Sequence, residues 1–228
     1  MKGPIHHVSK FWSTDWSLTA FLVILILVVF IIEPLARLNV ANQLLVTGFF
    51  SVLFISGVAA VARHWTVNVL SIGLAGATIV LRWMAHLFPS PGIESLGAFS
   101  SLVFVGFLAG VVLLHVFRSG PITSDRVQGA IAVYLLLGLM WAFLYRLIFL
   151  WNPGSFQPPN VVQQQGSPMA DLIYFSFTTL TTLGYGDIVP VDPMARSLAV
   201  LEALVGQLYP AILIGRLVSM ELQFRQSK

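Results

Sequence analysis

Glycines at alternate positions punctuate the run Thr181-Thr182-Leu183-Gly184-Tyr185-Gly186-Asp187. That spacing suits a backbone whose successive carbonyls turn toward one line. Such a path needs positive φ at some residues, which glycine reaches at little steric cost. Side chains then point away from the line, so Leu183 and Tyr185 would sit behind the loop, with Tyr185 as an aromatic strut. A row of carbonyls from Thr182, Leu183, Gly184 and Tyr185, with the Thr182 hydroxyl at one end, is a ligand set for a cation stripped of its water. Asp187 would lie just outside and draw cations in. The plain alternative is an ordinary turn, because glycine and aspartate form turns readily. The setting favours the ion-ligand reading, since an apolar helix candidate leads into the run and a longer apolar segment follows it.

The elements that must position this loop are membrane helices. The 228 residues are 57% hydrophobic and 9% charged, with mean hydropathy +0.87, far from the average soluble domain. Apolar runs near the length that spans a bilayer, about 20 residues, fall at 16–32, 44–62, 67–88, 96–117, 127–151 and 194–218. Lys2 and Lys10 precede the first of them, as in a signal peptide. The long leading segment with Asp15 and the absence of a convincing small-residue cleavage site favour a retained helix. Between the last two runs, residues 168–180 are apolar but too short to cross, and read as a re-entrant helix. Non-helical backbone at membrane depth is tolerated where protein or a water-filled cavity satisfies it. Ser167 with Pro168 supplies a start signal for the short helix, and Asp125 does so for the fifth span, after the break Ser119-Gly120-Pro121. The C-terminal end of the short helix, with its partial negative charge, would favour a cation.

With no cysteine in the chain, disulfides and thiol chemistry are excluded. A net charge of +3 from scattered basic residues gives no nucleic-acid footprint. Neither a histidine–carboxylate metal pattern nor a nucleophile or phosphate-binding motif points to an enzyme. With the N-terminus inside, Lys2, Lys10, Arg63, Arg118, Arg126, Arg216, Arg225 and Lys228 fall on the cytoplasmic side, against Arg37 and Arg196 outside. Both termini are then expected in the cytoplasm. Trp12, Trp16, Trp65 and Trp151 lie near span ends, as an aromatic belt would.

From Asp125 to Val218 the chain resembles the pore domain of potassium channels, and its plan resembles prokaryotic six-helix members of that superfamily. The resemblance implies an all-α integral membrane protein of a prokaryotic inner membrane. It would have six transmembrane helices, a pore helix and a filter loop, four identical chains surrounding one pore, and membrane lipids around them. Potassium would be bound at Thr182, Leu183, Gly184 and Tyr185, with Gly186 completing the filter, and no organic cofactor is expected. Residues 1–120 would form a four-helix module and 121–228 the pore domain. Tyr174 and Phe175 stand where many relatives carry a tryptophan pair and would form a cuff around Tyr185. Thr178 and Thr179 fall at familiar polar positions of the pore helix, with Thr181 at its junction with the filter. Where some relatives have a glutamate to pair with the filter aspartate, this chain has Thr178.

Gly206 matches an inner-helix hinge glycine, for which close packing of helices is an equal alternative, and Pro210 one turn later would kink the helix. Residues 96–117 contain no Lys or Arg, so the first four helices lack the repeated arginines of a voltage sensor and weak voltage dependence is expected. The short tail after Val218 implies no cytosolic ligand-binding domain. Arg82, His86, Arg146 and Glu202 lie within predicted spans, where charge needs a partner. Arg146 with Glu202 is the expected ion pair. His6 and His7 read as solvated tail residues, His64 and His115 as interfacial ones. Rival readings are a potassium transporter, a non-conducting membrane subunit and a nonselective cation channel. The first usually needs four repeats in one chain; the intact loop weighs against the others.

Overall fold

The computed structural model describes residues 16–32, 43–61, 65–118, 123–157 and 168–226, together with Leu35. Lys2, His6, His7, Lys10, Trp12, Asp15, Arg37, Arg63, His64, the break at 119–121, Ser167 and Lys228 fall outside the described residues, as does the side chain of Arg225.

The described chain is almost wholly helical. α1 (Trp16–Leu27) runs into a wider π-helical stretch (Val28–Ile32). α2 (Gln43–Val61), α3 (Trp65–Leu87) and α4 (Pro91–Val116) follow, then α5 (Ser124–Trp151), the short α6 (Pro168–Leu180) and the long α7 (Pro193–Gln226). Among the described residues five helices, α2 to α5 and α7, are long and apolar enough to cross a membrane, against the six spans expected. The segment Trp16–Ile32 is shorter, at the lower end of the roughly 17–25 residues a span requires. At about 1.5 Å per residue α6 extends only about 20 Å, well under a bilayer's apolar thickness.

Local chemistry explains where these helices begin. Ser90 caps α4, its hydroxyl accepting from the Ile93 amide, with Pro91 in the first turn. Proline there lacks only an amide hydrogen that would have had no helical partner. This start lies ahead of the boundary at Leu96 read from hydropathy, and it brings Glu94 into the first helical turn. Asp192 does the same for α7, Oδ1 accepting from the amides of Met194 and Ala195 ahead of a chain that continues from Pro193. At α5 the cap is Thr123, without a side-chain bond, and Asp125 sits in the first turn instead of at the cap. Negative charge there still complements the helix dipole.

The core lies where α1, α2 and α4 meet α5. Phe21, Phe50, Phe54, Phe104, Leu108, Leu139 and Phe143 are all buried in it. Rings of Phe54 and Phe104 meet edge-on at 5.2 Å, and those of Phe50 and Phe143 at 6.0 Å. A second cluster, Tyr145, Phe149, Phe156, Leu172, Phe175 and Ile188, fills the space between α5, α6 and the loop after it. Two short strands, β1 (Phe156–Gln157) and β2 (Val189–Pro190), pair antiparallel with Phe156 opposite Pro190. They join the segment after α5 to the segment after the glycine run, an element absent from the all-α expectation. Trp16, Trp65 and Trp151 are exposed at helix ends, as the belt reading requires.

Candidate functional site

The glycine run leaves α6 and returns to β2. Its backbone takes positive φ at Thr182 (60°), Gly184 (52°) and Gly186 (78°). The alternation expected for carbonyls aimed at one line is therefore present, and it extends to a threonine. For a residue with a Cβ this conformation costs on the order of 1–2 kcal/mol. Hydrogen bonds hold the entry to the run. The amide of Thr182 donates to the Thr179 carbonyl at 2.9 Å, that of Gly184 to the Thr178 carbonyl at 3.1 Å, and that of Thr181 to Phe177 at 3.1 Å. The hydroxyls of Thr178 and Thr181 cap their own helix, donating to the carbonyls of Phe175 and Phe177. At the far end β2 is tied down by the Val191 amide on the Ser155 carbonyl and by Arg196 Nε on the Pro190 carbonyl.

Leu183 and Tyr185 are 59% and 68% exposed. Among the described residues of one chain most of their surface is left uncovered, although loop residues carrying large apolar groups ordinarily find cover. Tyr174 faces the run, its hydroxyl donating to Asp187 Oδ2 at 2.7 Å, so a phenol at that position meets the aspartate that has no carboxylate partner at Thr178. Phe175 does not share that placement. Its ring lies 5.0 Å from Tyr145 and 5.3 Å from Phe156, inside the second core cluster, which corrects the expectation of a Tyr174–Phe175 cuff around Tyr185. Successive helix positions point about 100° apart, and here that turn carries Phe175 into the core cluster while Tyr174 faces the loop.

The expected pair of Arg146 and Glu202 is corrected by the structure. Arg146 Nη2 instead lies 3.1 Å from Glu94 Oε2. Glu202, fully buried, accepts from the Tyr145 hydroxyl at 2.6 Å and lies 2.5 Å from Ser176 Oγ. Neighbouring residues on α5 diverge, so Tyr145 turns toward α7 while Arg146 turns toward α4. Glu202 thereby joins α7 to α5 and α6. Ser176 Oγ is also 2.7 Å from the Gly138 carbonyl. One hydroxyl carries one hydrogen, so either it is shared between two acceptors or the carboxyl supplies a second. From sequence Tyr145 and Ser176 carried no role, and Glu94 lay ahead of the apolar run 96–117. The Ser90-Pro91 start signal would have placed Glu94 correctly.

Three further contacts seat α5 and α7 around the end of α6. A Cβ built on Gly206 would lie 1.8 Å from the Leu180 carbonyl oxygen, so the backbones touch there as only glycine allows. The same carbonyl accepts from the Tyr134 hydroxyl at 3.3 Å, and Tyr209 donates to the Ala130 carbonyl at 2.8 Å. Of the two roles weighed for Gly206, close packing is the one with a contact behind it. Pro210 lies inside α7, four residues on from Gly206. Lacking an amide hydrogen, it withdraws the bond that the Gly206 carbonyl would otherwise accept.

The described chain is thus a helix bundle whose short α6 ends in a loop of alternating backbone handedness. Residues 130–223 match the family model described as "Ion channel". Protein LctB of Bacillus caldotenax is 30% identical over 125 residues, half of this chain and 92% of that protein. The two pore potassium channel c of Oryza sativa subsp. japonica is 34% identical over 93 residues, 39% of this chain and 20% of the rice protein. The inward rectifier potassium channel Kirbac3.1 of Paramagnetospirillum magnetotacticum is 33% identical over 98 residues, 41% of this chain and 28% of that protein. No solved structure matches. The chain belongs to the ion channel family, and it is an integral membrane channel protein, not an enzyme.

Proposed function

We propose that the chain is one subunit of a homotetrameric potassium channel, in which residues 182–186 of four copies surround a single pore and pass potassium down its electrochemical gradient. The observation that carries this reading is the alternation of positive φ at Thr182, Gly184 and Gly186. It turns alternate peptide units so that successive carbonyls can serve one axis, and rings of such oxygens replace the hydration shell of a potassium ion. The outward-facing Leu183 and Tyr185 support the assembly: in a tetramer each lies against the next copy, and non-helical backbone at membrane depth is covered by protein. Relatives named as potassium channels support the choice of ion. Tyr174 and Asp187 would brace the outer end of the filter.

Residues 121–228 act as the pore domain in this reading, and residues 1–120 as an accessory module of a six-helix subunit with both termini cytoplasmic, in a prokaryotic inner membrane. α4 carries no Lys or Arg, so this module moves little charge through the field and voltage dependence is weak. The test is the reversal potential of the purified protein in a planar bilayer with potassium on one side and sodium on the other. A current reversing near the potassium equilibrium potential and lost in Gly184→Ala is expected. A sodium current of equal size would overturn the ion assignment.

A further inference from the structure

Glu202 is fully buried within one chain, and the groups that touch its carboxyl oxygens are hydroxyls, Tyr145 of α5 at 2.6 Å and Ser176 of α6 at 2.5 Å. Among the described residues no cation pairs with it. Arg146, next to Tyr145, is turned to Glu94, and Arg196, nearer the start of α7, is bonded to the Pro190 carbonyl. Tyr134 of α5 lies within electrostatic reach and donates to the Leu180 carbonyl. On α6, Tyr174 is bonded to Asp187, and Asp171 stands five residues ahead of Ser176, more than a turn away. A carboxylate buried without a cation is costly, and such a group ordinarily keeps its proton instead.

The count of hydrogens points the same way. Ser176 Oγ lies 2.7 Å from the Gly138 carbonyl oxygen as well as 2.5 Å from Glu202 Oε1. Both separations are as short as a well-aligned O–H···O bond, about 2.7–2.8 Å, so each needs a hydrogen between its oxygens. The serine has one hydrogen and the carbonyl none. The second must come from the carboxyl. Glu202 Oε1 then donates to Ser176, Ser176 donates to Gly138, and Tyr145 donates to Glu202 Oε2, so every group is satisfied. The bare backbone of Gly138 permits this approach, since a Cβ there would lie 2.7 Å from Phe177 Cζ on α6.

We propose that Glu202 is a proton-binding site, held as a neutral carboxylic acid at neutral pH, and that its proton is a switch joining α5, α6 and α7. When hydroxide takes the proton, the Ser176 hydroxyl turns to the carboxylate and the Gly138 carbonyl loses its partner. A charge is then left buried without a cation. α6 is released from α5 in the stretch that leads into the glycine run.

Infrared spectroscopy of the full-length protein in detergent, grown with isotope-labelled glutamate, reads the proton itself. At neutral pH a protonated-carboxyl carbonyl band is expected that shifts with the label, persists in Glu94→Gln and is lost in Glu202→Gln. Ser176→Ala removes the acceptor and should move that band to higher frequency. Added base should abolish the band reversibly in the parent and lower its melting temperature, and Glu202→Gln, which has no proton to lose, should fall less. Absence of a label-sensitive band at neutral pH, or its survival in Glu202→Gln, would overturn the proton site. Equal alkaline losses of melting temperature in the two proteins would overturn the switch. The labelled parent alone reports whether a glutamate is protonated, so a folding defect in a variant leaves the test intact. These readouts need no current and stand apart from the ion assignment.

Discussion

Replacing Gly206 by alanine separates a packing role from a hinge. The added Cβ would meet the Leu180 carbonyl oxygen at 1.8 Å, where contacts under 3.0 Å force a shift, so α7 and the end of α6 must part by at least 1.2 Å. The obstacle is backbone and cannot rotate away. Overpacking of this kind costs about 1–3 kcal/mol or more, set against about 1 kcal/mol that alanine returns through helix propensity. Leu180 is also where the Tyr134 hydroxyl is bonded, so the displacement disturbs a second contact. A net loss of up to about 2 kcal/mol per subunit is expected, and in a symmetric assembly it recurs in each copy. Gly215, in the same helix with open space where a Cβ would go, is the matched control, and Gly215→Ala should be neutral or stabilising by up to about 1 kcal/mol. Heating the detergent-solubilised protein and following the surviving oligomer by size-exclusion chromatography measures both variants. A Gly206→Ala protein as heat-stable as the parent, with only its open probability changed, would refute the packing argument and restore the hinge.

Glu202→Ala leaves the Tyr145 and Ser176 hydroxyls facing a void, and a loss of about 2–5 kcal/mol is expected in denaturation. Glu202→Gln, which accepts from Tyr145 and offers an N–H to Ser176, should lose much less; equal losses would remove the hydrogen-bond account. A double-mutant cycle on Arg146 and Glu94 should give a coupling of about 0.5–1 kcal/mol, because both side chains are partly exposed, whereas a cycle on Arg146 and Glu202 should give none. Tyr174→Phe removes the bond to Asp187 at little cost in fold stability, and, if residues 182–186 line the proposed pore, should speed the decay of current during sustained opening; an unchanged time course would count against a role for that bond in the proposed filter.

The sequence alone determined the elements whose physics is local. Hydropathy fixed where the long helices run, and the length of residues 168–180 fixed that this helix does not cross, with observed bounds Pro168–Leu180. The alternate glycines fixed two of the three positive φ angles, because a missing Cβ is a property of the residue itself. What the chain order could not reveal is which side chains meet between helices. Arg146 and Glu202 looked complementary by charge and depth, yet a rotation of about 100° per residue sends Tyr145 to Glu202 and Arg146 to Glu94. The same rotation separated Tyr174 from Phe175. Thr182 took a left-handed conformation that its residue type disfavours, because the chain on both sides of it is pinned. Gly206 was legible as a small residue, but only the approach of the Leu180 carbonyl decided what its smallness is for. Contacts between helices depend on azimuth and separation, which are set by the packing of the whole bundle and are encoded in no single segment.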